Sequence, residues 1–173
     1  MSKKTTQLEF KSLQQTDIPF IVAAFAELGW DKPASLYQQY LLEQENHQRC
    51  VWVAFQEGIF VGYITLKWHS EYAPFHQQGI PEIIDLNVLP KFRKQGIGSK
   101  LLDLAETEAQ KKNKIIGIGF GLYADYGNAQ RLYIKRGYMP DGLGITYNYQ
   151  PIDPGSIVCL DDDLVLWLTK ELS

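Results

Sequence analysis

Between Lys91 and Lys100 the chain places four cations, Lys91, Arg93, Lys94 and Lys100, around Gly96 and Gly98, with no carboxylate among them. Residues of these types at this spacing suit the capture of an anion. The run follows the short apolar stretch Ile83 to Val88 and precedes apolar residues at helical spacing, so it reads as a strand, a glycine turn and a helix start. A helix opening near Gly96 offers N–H groups without intrahelical partners and about half a positive charge, which stabilises a phosphate without any specialised side chain. Gly96 and Gly98 let that backbone come close to a ligand. Upstream, Glu82 and Asp85 are the nearest carboxylates and are chemically able to accept a proton. Period-two alternation sets Glu82, Ile84 and Leu86 on one face of the strand and Asp85 on the other, so the two carboxylates do not act together.

The framework that must hold these residues is of ordinary size, since 173 residues fit one domain able to bury a core without disulfides or structural metal. An apolar share of 45% and a charged share of 21% match a soluble globular protein rather than a disordered or fibrous one. The net charge of −3 gives no global attraction for nucleic acid, so no nucleic-acid partner is expected and the cationic run calls for a local anion. Cys50 and Cys159 lie far apart without C-x-x-C spacing, which predicts two buried thiols and neither a zinc site nor a disulfide framework. His69 and His76 match no metal-ligand spacing and read as loop residues, so no metal is expected. No apolar segment follows Met1-Ser-Lys-Lys, and no window approaches the ~18 apolar residues of a membrane span. A cytoplasmic protein with no membrane association is expected.

Leu8 to Leu13 alternates as a first strand, and Thr16-Asp17 caps a helix with Ile18, Ile21, Val22, Phe25 and Leu28 at helical spacing, ended by Gly29. A second helix is predicted from Ala34 to about Glu45 with Leu36, Tyr40 and Leu41 inward. Cys50 to Phe55 and Ile59 to Leu66 then form a hairpin. Trp68 to Gly79 reads as a loop. Beyond the glycine turn, Ile97, Leu101, Leu104, Ala105 and Ala109 mark a helix face, Ile115 to Leu122 a buried strand, and Ala129 to Arg136 a short helix stopped by Gly137. Gly144 to Tyr149 and Leu164 to Thr169 supply the last two strands, giving one mixed α/β domain.

Glycine between strand and helix occurs in several phosphate-binding folds, and two of them fail here on spacing. A Rossmann fingerprint needs glycine where Leu101 stands, and a P-loop needs G-K-[ST] where Gly98 is followed by Ser99-Lys100. What remains, R-x-x-G-x-G at Arg93, Gly96 and Gly98 directly after L-x-V-x-P, resembles the acetyl-CoA signature of the GNAT family of N-acetyltransferases. Ala129, Leu132, Tyr133, Gly137 and Tyr138 resemble the family's later A-x-x-L-Y-x-x-x-G-[FY] block. More loosely, the resemblance extends over nearly the whole chain from Leu8. It implies the GNAT acyl-CoA N-acyltransferase fold over residues 1–173 as a single domain, with a central mixed twisted sheet of about six to seven strands flanked by about four helices.

The resemblance also implies a site. The pyrophosphate of coenzyme A would rest on main-chain N–H groups of Arg93, Lys94, Gln95, Gly96, Ile97, Gly98 and Ser99, with cationic side chains screening the remaining charge. The pantetheine arm would pair with main-chain groups of Leu86 and Val88 as an added strand does. An N–H near Val88 would face the thioester oxygen, where a donor is most useful as an oxyanion forms. Tyr133 stands where the family usually places its general acid; a phenol of pKa about 10 assists a thiol of pKa about 8.5 without being indispensable. A primary amine has a pKa near 10.4, so something must accept its proton. Glu82 resembles the general base of the histone-acetyltransferase branch, and a water chain is the alternative. Many members carry asparagine seven residues before the tyrosine, but that position is Tyr126 here. The nearest asparagine, Asn128, either meets the pantetheine or caps the helix at Ala129.

The acceptor pocket is expected from Trp30, the aromatic-rich loop Trp68 to Phe75, and Tyr147 to Tyr149, with Glu71, Glu82, Asp125 and Asp161 to Asp163 favouring a cationic amine. Neither cysteine lies near a motif, which fits direct transfer of acetyl to the amine. An aminoglycoside-type resistance acetyltransferase differs only in its acceptor, and a non-catalytic acetyl-CoA-binding module is the rival of another class. Sheet-edge pairing through the last two strands would make a homodimer.

Overall fold

The computed structural model describes residues 7–173 and shows eight strands in one sheet, ordered β1-β2-β3-β4-β5-β8-β6-β7, with five helices. The strands are β1 (Leu8–Ser12), β2 (Arg49–Gln56), β3 (Ile59–Lys67), β4 (Glu82–Val88), β5 (Ile115–Gly121), β6 (Met139–Tyr147), β7 (Gln150–Pro151) and β8 (Leu164–Glu171). The helices are α1 (Ile18–Ala26), α2 (Ala34–Glu45), α3 (Ala73–Gln78), α4 (Ile97–Gln110) and α5 (Gly127–Lys135). The mixed α/β class is as expected, and the count exceeds expectation by short elements. The two residues of β7 are too few to alternate, and the six of α3 are too few to show a helical period. β6 begins at Met139 rather than Gly144 because a register shift between Pro140 and Ile145 carries Gly142 and Gly144 at φ of 83° and 82°. The sequence reading therefore starts the strand at Gly144 and misses its first five residues.

The chain divides into two compact units, one running to Lys67 and joined by Asp85–Thr107, the other formed by Trp68–Ile84 and Glu108–Ser173. In the first, β1, β2 and β3 are antiparallel, and Glu57 and Gly58, at φ of 51° and 79°, make the hairpin turn. Its core is aromatic. Tyr37 and Tyr63 are both fully buried and meet edge-on with ring centroids 5.5 Å apart, and Phe25 meets Phe60 in the same way. The inward residues of α2 are thus Tyr37 and Tyr40, with Leu36 and Leu41 only partly buried. Leu89 donates its N–H to the Val61 carbonyl at 2.9 Å, and Gly62 lies so close to β4 that an added Cβ would sit 2.5 Å from the Asn87 carbonyl oxygen. Gly62→Ala should therefore destabilise the protein by about 1–3 kcal/mol, because backbone rather than a mobile side chain must give way. Urea unfolding checks this, and an unchanged midpoint would contradict it.

In the second unit β4 starts parallel to β5, with Glu82 opposite Gly117 and Ile83 opposite Ile118. β8 is antiparallel to both β5 and β6, so it is interior; the sheet edges are β1 and β7. Sheet-edge pairing through the last strand is therefore closed off, since both sides of β8 already carry partners. The core of this unit stacks Tyr72 on Trp167 at 4.3 Å, with Phe75 lying over Gly117 where any Cβ would collide with its ring. Cys159 is exposed and Cys50 only partly covered, contrary to the expectation of two buried thiols. Among the described residues, no helix is long and apolar enough to cross a membrane.

Candidate functional site

The cationic turn is built as its composition demands. Lys94 and Gly96 both take left-handed backbone, at φ of 61° and 80°, and the residues from Arg93 to Gly96 are exposed. Turns with left-handed residues are among the backbone arrangements whose successive N–H groups can form an anion-binding concavity. Gly96 then opens α4: its carbonyl accepts the Lys100 N–H at 3.1 Å, so the N–H groups of Ile97 and Gly98 precede the first bond of the helix ladder. Ile97 is buried and anchors the helix start, while Gly98 and Ser99 are half-buried inside the first turn. Arg93 Nε donates to the Val88 carbonyl at 3.0 Å and Gln95 Nε2 to the Lys91 carbonyl at 3.3 Å. Arg93 thus ties the turn back to the end of β4.

β4 departs from the alternation read from sequence. Asp85 has φ of 60°, a left-handed conformation inside a strand, and it interrupts the pleat between Glu82 and Leu86. Strict alternation therefore does not carry across Asp85. The recorded pairing with β5 ends at Ile83, and Leu86 and Val88, both half-buried, lie beyond it. Glu82 is buried at 4% exposure and accepts a hydrogen bond from the Ser70 hydroxyl, whose oxygen also accepts the Tyr72 N–H at 3.0 Å. The loop carrying Ser70 thus holds this carboxylate inside the fold.

Tyr133, in α5, is buried at 5% exposure, with ring centroids 6.4 Å from Phe120 and 6.0 Å from Tyr138. Burial pushes its hydroxyl well above the ordinary phenol range, so it holds its proton at neutral pH and is available as a donor. Asn128 does not cap a helix at Ala129. It is the exposed second residue of α5, which starts at Gly127 directly after a tight turn over Ala124–Tyr126. Tyr126 packs its ring on Gly121, leaving no room there for a Cβ, and donates its hydroxyl to Asp162 at 2.8 Å. Both roles are specific to a tyrosine.

The aromatic loop contributes less to an open pocket than its composition promises. Tyr72 and Phe75 belong to the core, and Tyr72 donates its hydroxyl to Asp141 at 2.7 Å. Asp161 accepts the Tyr147 hydroxyl at 3.0 Å, and Tyr149 lies over Trp167 with centroids 5.8 Å apart. Trp30, 37% exposed, stacks on Phe25.

A polar cluster absent from the sequence reading gathers on Asp85. Its carboxylate accepts the Tyr40 hydroxyl and lies 3.5 Å from Lys32 Nζ, which also donates to the Tyr63 hydroxyl at 3.1 Å. Asn87 Nδ2 donates to the same hydroxyl at 3.4 Å. These partners come from the link between α1 and α2, from α2, β3 and β4. No local spacing could have revealed them.

An exposed cationic turn that follows a strand and opens a long helix is the arrangement by which many α/β proteins hold a phosphate-bearing ligand. Residues 17–138 match the acetyltransferase (GNAT) family, and the chain belongs to it. The chain is 36% identical over 98 residues to the aminoalkylphosphonate N-acetyltransferase of Salmonella typhimurium; the match covers 57% of this chain and 60% of that relative's length. Its fold is similar to that of an N-acetyltransferase from Staphylococcus aureus Mu50, with TM-score 0.70 and 19% identity over 97% of this chain and 100% of that one. It is also similar to a Salmonella typhimurium protein solved with its cofactor acetyl-CoA, with TM-score 0.68 and 14% identity over 97% of this chain and 95% of that one.

Proposed function

We propose that this protein, acting as a single domain in the cytoplasm, moves acetyl from acetyl-CoA to a primary amine of a small molecule or peptide. The observation that carries the reading is the exposed turn at Lys94 and Gly96, which opens α4 toward an anion with four cations in or beside it. The residues fit coenzyme A: the N–H groups of Ile97 and Gly98 suit a pyrophosphate, and the main chain of Leu86 and Val88 suits an extended arm. Acetyl-CoA supplies acetyl activated as a thioester. Tyr133 holds a proton for the departing sulfur, and Glu82 takes the proton of the amine, directly or through water. Asn128, exposed as the second residue of α5, is free of a capping role, which leaves its side chain for the cofactor. A homodimer would pair through β1 or β7, the strands left at the sheet edges.

Thiol release from acetyl-CoA in the presence of peptides, polyamines, aminoglycosides and aminoalkylphosphonates tests the reading. The last class heads the panel because a relative carries that activity in its name. Release dependent on one of these amines is expected, and silence across all of them would favour a binder without catalysis. Glu82→Gln should lower kcat about tenfold at neutral pH, since a water chain substitutes only in part, and the loss should shrink at high pH, where the amine sheds its proton unaided. An unaltered pH profile would remove Glu82 from the proton path.

A further inference from the structure

We infer that the cluster on Asp85 is the recognition site for the acceptor's ammonium group and that Lys32 occupies it as a displaceable internal stand-in. The inference rests on the acetyl-transfer reading and names the acceptor as a protonated primary amine. Asp85 adjoins Leu86, whose main chain that reading assigns to the cofactor arm, so a group bound at Asp85 stands next to the cofactor.

The cluster already solves the problem of holding an ammonium. Lys32 Nζ lies 3.5 Å from the Asp85 carboxylate, 3.1 Å from the Tyr63 hydroxyl and 5.7 Å from the ring centroids of both Phe25 and Tyr63. A carboxylate, a hydroxyl acceptor and two aromatic faces form the environment that binds a primary ammonium. The receiving groups sit on regular elements. Phe25 belongs to α1, Tyr40 to α2, Tyr63 to β3, and Asp85 and Asn87 to β4; Phe25 and Tyr63 are fully buried. The ammonium, in contrast, hangs on a flexible stem from the segment between α1 and α2, and its side chain is 19% exposed. An incoming ammonium can replace it without changing the charge of the site, and a partly buried carboxylate is never left unpaired.

The backbone at Asp85 points the same way. A left-handed residue within a strand breaks the pleat and re-aims its side chain, and aspartate is among the few residues that adopt this conformation readily. Asn also tolerates this conformation, so Asp85→Asn removes the charge while keeping the bend.

The experiment titrates n-propylammonium into the full chain and follows backbone amide resonances, with n-propanol as the neutral control. Lys32→Met keeps the stem and removes the competing charge, so it should tighten amine binding about tenfold, whereas Asp85→Asn should weaken it about tenfold or more. Shifts should centre on Phe25, Tyr40 and Asp85, and n-propanol should leave them unmoved. Circular dichroism melts confirm that both variants are folded, and calorimetry with acetyl-CoA should give the same affinity in both. A merely structural Lys32–Asp85 pair predicts that both substitutions move amine binding in one direction or not at all; that result would overturn the inference, as would failure of Lys32→Met to bind the amine. Loss of acetyl-CoA binding in the unmodified protein would instead strike the acetyl-transfer reading, and it is read separately from the amine titration.

Discussion

Gly96→Val is expected to weaken acetyl-CoA binding by at least about 100-fold in calorimetry, the largest effect of any single substitution considered. No atom lies within 4 Å of the place a Cβ would take, so the loss does not come from crowding within the protein. It comes from φ of 80°, which a β-branched residue adopts only as an outlier. The turn would relax, and the N–H groups at the start of α4 would cease to point at one ligand position. Gly58→Val supplies the control. Gly58 has nearly the same φ, 79°, and equally open space, but it lies in the β2–β3 hairpin. Comparable loss of stability with normal cofactor affinity is expected there. If both variants bound coenzyme A normally, the pyrophosphate assignment would be wrong.

Tyr133→Phe should lower kcat by about 100-fold while the affinity for acetyl-CoA changes less than about twofold. The substitution removes one oxygen and keeps the ring that packs between Phe120 and Tyr138, so the surrounding core should persist. Because burial keeps this phenol protonated far above neutrality, the decline in rate from loss of the proton donor should lie in strongly alkaline solution rather than near pH 8. Acyl donors whose thiol is more acidic, and so departs unaided, should narrow the gap between the two proteins. Equal loss of kcat and cofactor affinity would contradict a role as acid and indicate packing alone.

Much of this architecture is legible in local pattern. Ala34 to Glu45 matches α2 end to end, and the helix beginning at Ile97 follows Gly96 as the cationic turn required. Both depend on interactions among near neighbours in the chain. The cap proposed for Asn128 failed for a different reason: a tight turn over Ala124–Tyr126 feeds straight into α5, so no extended residue remains at its start to act as a cap. Within the loop after Trp68, from which part of an acceptor pocket is expected, Tyr72 and Phe75 are core residues packed on Trp167, a partner far away in sequence.

The order of residues alone determined the cationic glycine turn and the helix it opens, because both are set by near neighbours within about ten consecutive residues. It also determined the family, through two motifs that are each local. Only the tertiary structure decided what Asp85 does. Its left-handed bend interrupts the pleat of β4, and its partners Lys32 and Tyr40 are brought to it across 53 and 45 positions of chain. Contacts at that separation leave no periodic trace, since their energy is realised only after the sheet and its covering helices have closed around them.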